Sequence, residues 1–598
     1  MSMAAGARGP LEEYSNRLRE HESRVSHYER LHIRIGNIRL LLAFAAGLLL
    51  WLSVRHHFLS LWWLTIPVAL FAILVPFHSR VLRARTRAER AATVYRKGIE
   101  RILDRWNGSG QTGERFAESA HVYANDLDLF GRGSMFELLS TARTHMGENT
   151  LARWLLSPAD TDTIRARHLS ISELSEKLDL REDLAVLGDV SRIGVHPEAL
   201  LEWAEERQQI PEWLRFLASL SAAGAIITAC LWGVTGLATP FVFVVAAEGC
   251  TAYWLRKWIR SVVDGTEQAF EDLDLFSAVL LRLERENFVA FPLRDLKTSL
   301  LSHNIPGSQA IGHLRTIMQF IDSRHNQIVR LLDVPMMYSA QVALAAERWR
   351  KSHGAAVRAW LRAIGEFEAL ISVAAYSYEH PDDPFPEFSA EEACFCSEEL
   401  GHPLIPAKNC VRNNVRICGD ARVLLVSGSN MSGKSTLLRA VGINAVLAMA
   451  GAPVRARRLR LKPVQVGASI RINDSLQEGS SRFYSEITRL RTLLDLTGQN
   501  LTLLFLLDEL LQGTNSADRR IGAEGIVRGF LKRGAIGIIS THDLALTDLG
   551  TSLRAHIRNM HFQDDLENGI MRFDYTLRDG IVTKSNGVEL MRSVGLEV

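Results

Sequence analysis

A strand, a glycine loop and a helix follow one another in the stretch ARVLLVSGSNMSGKST, residues 421–436. The uncharged apolar run from Val423 to Val426 predicts a buried strand. The loop places Gly428 and Gly433 on either side of four residues, and a helix is predicted from Lys434 onward. This order of elements is typical of an α/β phosphate-binding domain.

The residue types of the loop suit a nucleotide. Glycine lets the backbone point successive N–H groups at phosphate oxygens, the lysine reaches the β and γ phosphates, and the serine hydroxyl binds Mg²⁺. The alternative is a chance glycine turn, which the full eight-residue spacing disfavours. We predict ATP and Mg²⁺ as ligands, with Ser435 on the metal. The predicted binding residues are Gly428, Ser429, Asn430, Met431, Ser432, Gly433, Lys434, Ser435 and Thr436.

Two acids follow a second apolar strand, predicted from Leu503 to Leu507. Asp508 is predicted to bind Mg²⁺ and the nucleotide, and Glu509 to orient or deprotonate the attacking water. The alternative is a strand end with solvated acids. A phosphate loop upstream favours the catalytic interpretation, in which Lys434 also takes part.

A third strand is predicted from Ile536 to Ile539, and His542 lies just beyond it. We predict that His542 contacts the γ phosphate, although a lone histidine is often structural. Ser516 opens a helix that continues to Phe530. Free N–H groups at a helix start bind anions. In its own chain this helix start is too far along to meet the loop easily, so we predict that Ser516 contacts the nucleotide of a second subunit.

Two uncharged runs near the N-terminus, Leu40 to Val54 and Phe58 to Phe77, predict a transmembrane hairpin at 36–85. A bilayer core needs about 20 helical residues, so the first run requires Arg39 to reach the headgroups. Arginines flank both ends, which places both ends in the cytoplasm. The alternatives are a buried hairpin of a soluble core and an arginine patch for nucleic acid.

A second transmembrane hairpin is predicted at 211–260, with arms Phe216 to Ala238 and Pro240 to Leu255. Glu248 in its second arm is either a functional intramembrane acid or a residue that faces a neighbouring helix. Basic residues again flank both ends. We therefore predict a multi-pass protein of the cytoplasmic membrane whose nucleotide-binding domain lies in the cytoplasm.

The rest of the chain is predicted to be helical up to the break PDDPFP at 381–386. The net charge of +2 argues neither for nor against nucleic acid. The six cysteines lack zinc spacing and are expected to be reduced thiols. The predicted segments are 1–35 amphipathic, 36–85 first hairpin, 86–210 helical core, 211–260 second hairpin, 261–385 helical levers, and 386–598 ATPase domain.

Four phrases resemble the MutS family of DNA mismatch repair ATPases: SGSNMSGKST at 427–436, DSLQEGSSRFYSEI at 474–487, LLDELLQGTNSADR from 506 onward, and STHD at 540–543. The tail at 573–596 is also similar. The resemblance covers about 400–598 closely, and 126–158 and 261–385 more weakly. It implies an ABC-like ATPase that dimerises and drives helical levers on DNA. Glu486 matches an acid of that family.

The sequence departs from the family where a mismatch-reading domain would stand, because a polar segment and a hairpin occupy that region. Phe116-Ala-Glu118 and Phe385-Pro-Glu387 match the family's reading triplet only as chance triplets would. Mismatch reading is therefore not carried over. A basic run, Arg455 to Arg460, is either a phosphate contact or a solvated loop.

Three functions fit these patterns. The first is a membrane-anchored MutS-like ATPase that binds DNA as a homodimer, in mismatch repair or a related DNA process. The second is a transporter component, against which stands the missing Leu-Ser-Gly-Gly-Gln signature. The third is an ATP-driven membrane scaffold that binds protein.

Overall fold

The computed structural model describes residues 9–56, 60–188, 197–206, 213–267, 270–323, 329, 333, 336–389, 393–471, 482–498, 500–543, 546, 553–567 and 570–582. Contacts divide the chain into two compact units. Unit 1 comprises Met1–Leu103, Lys177–Asn287 and Lys297–Ala363. Unit 2 comprises Asp104–Glu176, Phe288–Leu296 and Ile364–Val598. The six segments predicted from the sequence stay predictions, because a division into two compact units does not test the role of each segment.

The α-helices are α1 (Pro10–His56), α2 (Thr65–Ile102), α3 (Met135–Leu139), α4 (His145–Leu156), α5 (Thr161–Glu176), α6 (Leu178–Gly188), α7 (Pro197–Glu205), α8 (Trp213–Thr235), α9 (Thr239–Glu267), α10 (Phe270–Arg285), α11 (Phe291–Thr298), α12 (Gly307–Asp322), α13 (Tyr338–Glu379), α14 (Lys434–Ala450), α15 (Arg482–Leu496) and α16 (Ser516–Lys532). The strands are β1 (Leu301–Ser302), β2 (Ile305–Pro306), β3 (Glu387–Phe388), β4 (Phe395–Leu400), β5 (Asn413–Ile417), β6 (Val423–Ser427), β7 (Arg458–Leu461), β8 (Val464–Ser469), β9 (Thr502–Leu507), β10 (Ile536–Thr541), β11 (Ile557–Glu567) and β12 (Ile570–Asp579).

Helices α1 and α2 of unit 1 form one long hairpin. The polar N-terminal segment and the first apolar run, predicted separately, belong to the single helix α1. Both helices are long and apolar enough to cross a membrane, by length and composition alone. Their most apolar stretches are only 6% and 11% buried. Arg39 bonds His78 Nδ1 at 2.7 Å and lies over Phe71, and its predicted reach to lipid headgroups stays a prediction.

A second helical hairpin, α8 and α9, lies where the second membrane hairpin is predicted, and residues 211 and 212 fall outside the described residues. In the described part of α8, the apolar stretch Leu220–Thr235 is shorter than a bilayer-spanning helix. Glu248 is 2% exposed, as expected of an acid that faces a neighbouring helix.

Charged and polar side chains fasten the α1–α2 hairpin to α6 within unit 1. The Tyr95 hydroxyl donates to Glu182 Oε2 at 2.6 Å. Asp183 accepts hydrogen bonds from Arg87 and Arg282, both at 2.7 Å. Arg282 lies on α10, so α6 links the hairpin to the helices that follow. Tyr95 is 3% exposed, and hydrogen bonds of this partly buried kind stabilise more than surface pairs do.

The described residues of 261–385 are mainly helical, as predicted, and a short pair of strands in unit 1 departs from that pattern. Strands β1 and β2 form a minimal antiparallel hairpin. His303 and Asn304 between them both have positive φ, at 48° and 63°, which a two-residue hairpin turn requires. The sequence does not indicate this turn, because the pattern on either side is helical and histidine is not a typical turn residue.

Unit 2 is built around a sheet with the order β12–β11–β6–β10–β9–β8. Strands β11, β6, β10, β9 and β8 run parallel, and β12 is antiparallel to β11. The central strands are buried at nearly every position, as continuous apolar runs predict for parallel strands covered on both faces. A second sheet has the order β3–β7–β4–β5.

The edge strand β8 is covered by a segment that lies more than 300 residues earlier in the chain. Ala468 N donates to Val122 O at 2.9 Å. Asp126, which is 3% exposed, accepts from the backbone N–H groups of Ile470 and Arg471 at 2.8 and 2.6 Å. These bonds satisfy donors that an open sheet edge would leave unpaired.

A buried carboxyl group joins α13 to the start of α4 within unit 2. Thr144 caps α4, and its hydroxyl donates to Glu368 Oε2 at 2.5 Å. The backbone N–H groups of Arg143 and Thr144 also donate to Glu368. Burial raises the pKa of Glu368 to about 7 despite these bonds. An added Cβ on the first turn of α4, at Gly147, would overlap this side chain.

We expect Glu368 to make the stability of unit 2 depend on pH. The pKa of this carboxyl is higher in the folded chain than in the unfolded chain. The free energy of unfolding is therefore unaffected by this group at pH 4 and decreases as the pH rises toward 7. The loss above pH 7 is on the order of 3 kcal/mol. Chemical unfolding at pH 5 and pH 8 measures it. A Glu368→Gln variant should lose most of this difference, whereas Glu366→Gln should keep it. Equal pH slopes for the intact chain and Glu368→Gln would contradict the assignment.

Candidate functional site

The predicted strand, loop and helix are present as β6, residues 428–433 and α14. Gly433 precedes α14 with φ of 104°, in the left-handed region. A Cβ added there would lie 3.1 Å from Tyr575 Cδ1. The conformation therefore favours glycine at this position, and the space beside Tyr575 is tight. The loop ends with the free backbone N–H groups of a helix start, which attract anions.

The side chain of Lys434 is folded into the loop. Its Nζ donates to Gly428 O at 2.8 Å and to Ser429 O at 2.7 Å, and the residue is 5% exposed. Burial lowers the pKa of Lys434, while three carboxylates oppose that shift. They belong to Glu509, Asp508 and Asp564. The lysine thus brings a positive charge to a site whose surroundings are negative.

Two hydroxyl groups of the loop lack hydrogen-bond partners within the described structure. The Oγ atoms of Ser429 and Ser432 are both buried and unpaired. Buried polar atoms are nearly always bonded, so these two hydroxyls fit a loop built to receive an external polar group. A phosphate, with several acceptor oxygens, is such a group.

The acids Asp508 and Glu509 lie where the ends of β9 and β10 meet. Strands β9 and β10 pair in parallel, with Leu507 opposite Ile539. Ser540 therefore reaches both acids. Its hydroxyl donates to Asp508 Oδ1, and its carbonyl and hydroxyl oxygens accept from Glu509 N at 3.2 and 3.1 Å. Glu509 itself has a φ of 53°, an uncommon conformation for glutamate that is often found at functional sites.

Glu509, Gln512 and His542 form one hydrogen-bonded cluster. The Gln512 amide donates to Glu509 Oε2. His542 Nδ1 lies 3.4 Å from Glu509 Oε1 and 3.4 Å from Gln512 Nε2. The sequence predicts separate roles for His542, at the γ phosphate, and Glu509, at the attacking water. In the structure the two side chains lie next to each other. The histidine and the amide can fix the direction of the carboxylate.

A cavity of about 720 Å³ lies against the loop and the two acids. That volume is within the range of small-molecule sites. The predicted residues that line it are Asn430, Met431, Gly433, Lys434, Ser435, Thr436, Asp508 and Glu509. Gly428, Ser429, Ser432, Ser516 and His542 do not line this cavity.

Ser516 begins α16 as predicted, and the cap of that helix is Asn515. The Asn515 Oδ1 atom accepts from Asp518 N at 2.9 Å, so one helix-start donor is already satisfied. The contact of Ser516 with a second subunit stays a prediction, because a single chain does not test it.

Several residues of the site were missed by sequence reasoning. Tyr575 and Asn413 line the cavity from β12 and β5. Asn413 bonds the Tyr575 carbonyl at 2.9 Å and the Leu577 N–H at 2.7 Å, and no local pattern signals this distant pairing. Gln512 could have been found, because it follows Glu509 by three residues in the same short turn segment. Ser540 and Asp564 were also missed.

Glu486, predicted from the family resemblance, lies beneath the acids. Its Oε1 accepts from Leu511 N at 2.6 Å, and the residue is 3% exposed. Leu511 has a φ of 58°. Glu486 therefore holds the turn that follows Glu509. The part of the phrase at 474–481 lies outside the described residues.

The basic run contains one buried arginine, Arg455, and three exposed ones, so the solvated alternative fits Arg457, Arg458 and Arg460, and a phosphate contact stays a prediction. Each arginine is engaged with the neighbouring strands. Arg455 is buried and pairs with Asp383 at 3.3 Å. The other pairs are Arg457 with Glu398, Arg458 with Glu387, and Arg460 with Ser389. Three of the four arginines are therefore paired with acids, and the fourth bonds a serine hydroxyl.

The sequence profile of MutS domain V matches residues 424–597, and that of MutS domain III matches residues 121–223. Over these two segments the chain belongs to the MutS family. The match to domain III confirms the weaker resemblance seen at 126–158. It also reaches into α8, where the sequence suggested a membrane hairpin.

Three curated relatives are similar over part of their length. The chain is 34% identical over 197 residues to Endonuclease MutS2 of Thermus thermophilus, covering 33% of this chain and 25% of that protein. It is 32% and 34% identical over 244 and 242 residues to the DNA mismatch repair protein MutS of Geobacillus thermodenitrificans and of Geobacillus kaustophilus. These matches cover 40% and 39% of this chain, and 26% of each relative. The chain thus spans about a quarter of the length of these relatives.

Proposed function

We propose that this chain is a membrane-anchored MutS-like ATPase that couples ATP binding and hydrolysis to DNA through its helices. The cavity carries this proposal, because it places Lys434, Ser435 and the acids Asp508 and Glu509 around one space. A positive side chain, a helix start and two acids are the groups that phosphoryl transfer to water requires.

The chain's own residues divide the work of hydrolysis. The loop amides and Lys434 hold the phosphates of ATP, with Lys434 exchanging its bonds to loop carbonyls for bonds to phosphate oxygens. Glu509 takes the proton of the attacking water, and its place in the Gln512–His542 cluster fixes its direction. His542 stands beside Glu509, from where it senses the γ phosphate.

Ser435 and Asp508 would hold Mg²⁺, since both line the cavity and offer the oxygen ligands that Mg²⁺ prefers. The ion would neutralise charge on the phosphates. Ser540 donates its hydroxyl proton to Asp508 Oδ1, which leaves the other carboxylate oxygen available and holds the side chain in place.

DNA is the proposed partner because the matched relatives carry the names of a DNA mismatch repair protein and an endonuclease. Mismatch reading itself is not proposed. We further propose a homodimer in which Ser516 at the start of α16 contacts the nucleotide of the second subunit.

Membrane anchoring is proposed for the α1–α2 hairpin. Phe44, Trp62 and Ile73 are 74%, 80% and 67% exposed. Exposing so many large apolar side chains to water is costly, and contiguous patches of this kind mark membrane or protein contacts. The α8–α9 hairpin, whose Phe243 is 77% exposed, is proposed to lie in the same bilayer. The ATPase domain would then face the cytoplasm.

We expect Lys434→Ala to abolish retention of Mg·ATP by the purified chain. Glu509→Gln should keep ATP binding and slow hydrolysis by roughly 10²–10⁴-fold, because only the water-activating group is lost. Filter binding and phosphate release measure the two steps. The matched control is Glu524→Gln, an acid on α16 that pairs with Arg528. Normal turnover in Glu509→Gln would remove Glu509 from its role.

The DNA proposal is tested by ATP hydrolysis in detergent with duplex, branched and mismatched DNA. We expect at least one DNA to change the rate, with Glu509→Gln measured in parallel to subtract contaminating activity. If the hydrolysis rate is unchanged by every DNA but changes when a protein or a lipid is added, the result would instead support the scaffold or transporter function.

Deleting 36–85 and 211–260, with short glycine-serine joins, should move the chain from membranes to the soluble fraction. The polar halves of α1 and α2 remain, so their bonds to α6 should still form. Fractionation after a carbonate wash is the measurement, and single deletions report each hairpin separately. Full-length chain found in the soluble fraction would contradict membrane anchoring.

A further inference from the structure

The α1–α2 hairpin of unit 1 carries positive charge that its own helices do not neutralise. Residues 30–88 contain no aspartate or glutamate. The two acids that flank this stretch, Glu29 and Glu89, both pair with Arg85, at 2.6 and 2.9 Å. The other arginines of the stretch therefore find no acid close to them in the sequence.

Three of these arginines, Arg34, Arg80 and Arg83, are exposed. We call them the boundary arginines, because the apolar halves of the two helices begin beside them. No carboxylate pairs with any of the three in the described part of the chain. Farther along the polar half of α2, by contrast, Arg87 donates to Asp183 at 2.7 Å. Neutralisation by acids thus stops next to the apolar halves.

The boundary arginines lie at similar heights along the hairpin. His32 Nδ1 and His78 Nε2 are 2.7 Å apart, so these two residues lie opposite each other on α1 and α2. Arg34 follows His32 by two residues, and Arg80 follows His78 by two. Arg83 lies three residues beyond Arg80. At 1.5 Å per residue in two antiparallel helices, the three arginines form a band about 10 Å deep.

This band lies where a bilayer would place its headgroups. Leu40 and Phe77, at the ends of the apolar stretches beside the band, are 71% and 50% exposed. The apolar stretch of α2 from Leu61 to Phe77 is about 25 Å long, close to the hydrocarbon thickness of about 30 Å. The headgroup layer on each side is about 5–8 Å deep, and flexible arginine side chains can reach across it.

A guanidinium group suits the oxygens of a phosphate, because its paired N–H donors match their geometry. Every phospholipid headgroup has a phosphate, but choline cancels its charge in phosphatidylcholine. A headgroup with a net negative charge keeps the full attraction. A duplex DNA backbone offers the same phosphate chemistry. The band, however, continues directly into exposed apolar side chains, which suit acyl chains and not DNA.

We propose that the boundary arginines bind the headgroups of anionic phospholipids. This proposal rests on the proposed membrane anchoring and adds to it the class of lipid that the anchor selects. The membrane-facing end of unit 1 then has two contacts of different kinds. The apolar halves contact acyl chains of any lipid, and the arginines distinguish lipids by their charge.

The test reconstitutes the full chain in phosphatidylcholine bilayers that contain a trace of spin-labelled lipid. The probe is either phosphatidylglycerol or phosphatidylcholine, labelled at the same acyl position, and electron paramagnetic resonance measures the fraction immobilised on the protein. We expect phosphatidylglycerol to associate about fivefold more strongly than phosphatidylcholine, the factor that one arginine at an anionic surface supplies. In 1 M salt, where the screening length is about 3 Å, this preference should largely disappear.

Replacing the three boundary arginines by glutamine should remove most of the preference for phosphatidylglycerol. The matched control replaces Arg19, Arg24 and Arg96 by glutamine, which removes the same charge from exposed positions on the polar halves. The control should keep the preference. Phosphatidylcholine should be immobilised equally by all three proteins, because none of these changes touches the apolar halves.

Equal immobilisation of the two lipids by the intact chain would overturn the selectivity for anionic lipid and leave the anchor standing. A preference that the boundary variant retains would overturn the assignment to these arginines. If that variant has also lost retention of duplex DNA on a filter, the arginines belong to a nucleic-acid contact. Immobilisation of neither lipid would overturn the membrane anchoring itself.

Discussion

Parallel pairing of β6, β10 and β9 is the constraint on which the site depends. In that register the three strands end at one edge, so the loop after β6, the acids after β9 and Ser540 at the end of β10 become neighbours. The local conformational preferences of the chain would not keep Lys434 buried, nor would they keep Glu509 in a left-handed conformation. The buried strands supply the stability that these strained or desolvated groups use.

Three strands of this sheet, β6, β9 and β10, could be predicted to within about two residues, because each is an uncharged run buried at nearly every position. The loop and the two acids were found for the same reason, since each follows a run directly. Asn413 and Tyr575 could not be found. They reach the cavity from β5 and β12, and their positions depend on a pairing between distant segments that no local pattern encodes.

Charge patterns were the weaker guide. The arginines at 455–460 look like a phosphate contact, yet their partners lie more than 50 residues earlier in the chain. Arg39 similarly bonds a histidine on the opposite helix. A single sequence shows where charges are but not which charges neutralise one another. The assignment of MutS domain III from residue 121 agrees with the contact of Val122 and Asp126 with β8, which ties that segment to the sheet.

Helix α1 runs for 47 residues without interruption, about 70 Å at 1.5 Å per residue. Its first half is fastened by polar bonds and its second half is apolar, with no proline or break at the junction. A rod of this kind transmits torque. If lipid fixes the rotation of the apolar half about the helix axis, the polar half cannot rotate on its own. The helices bonded to the polar half then keep one orientation relative to the bilayer plane.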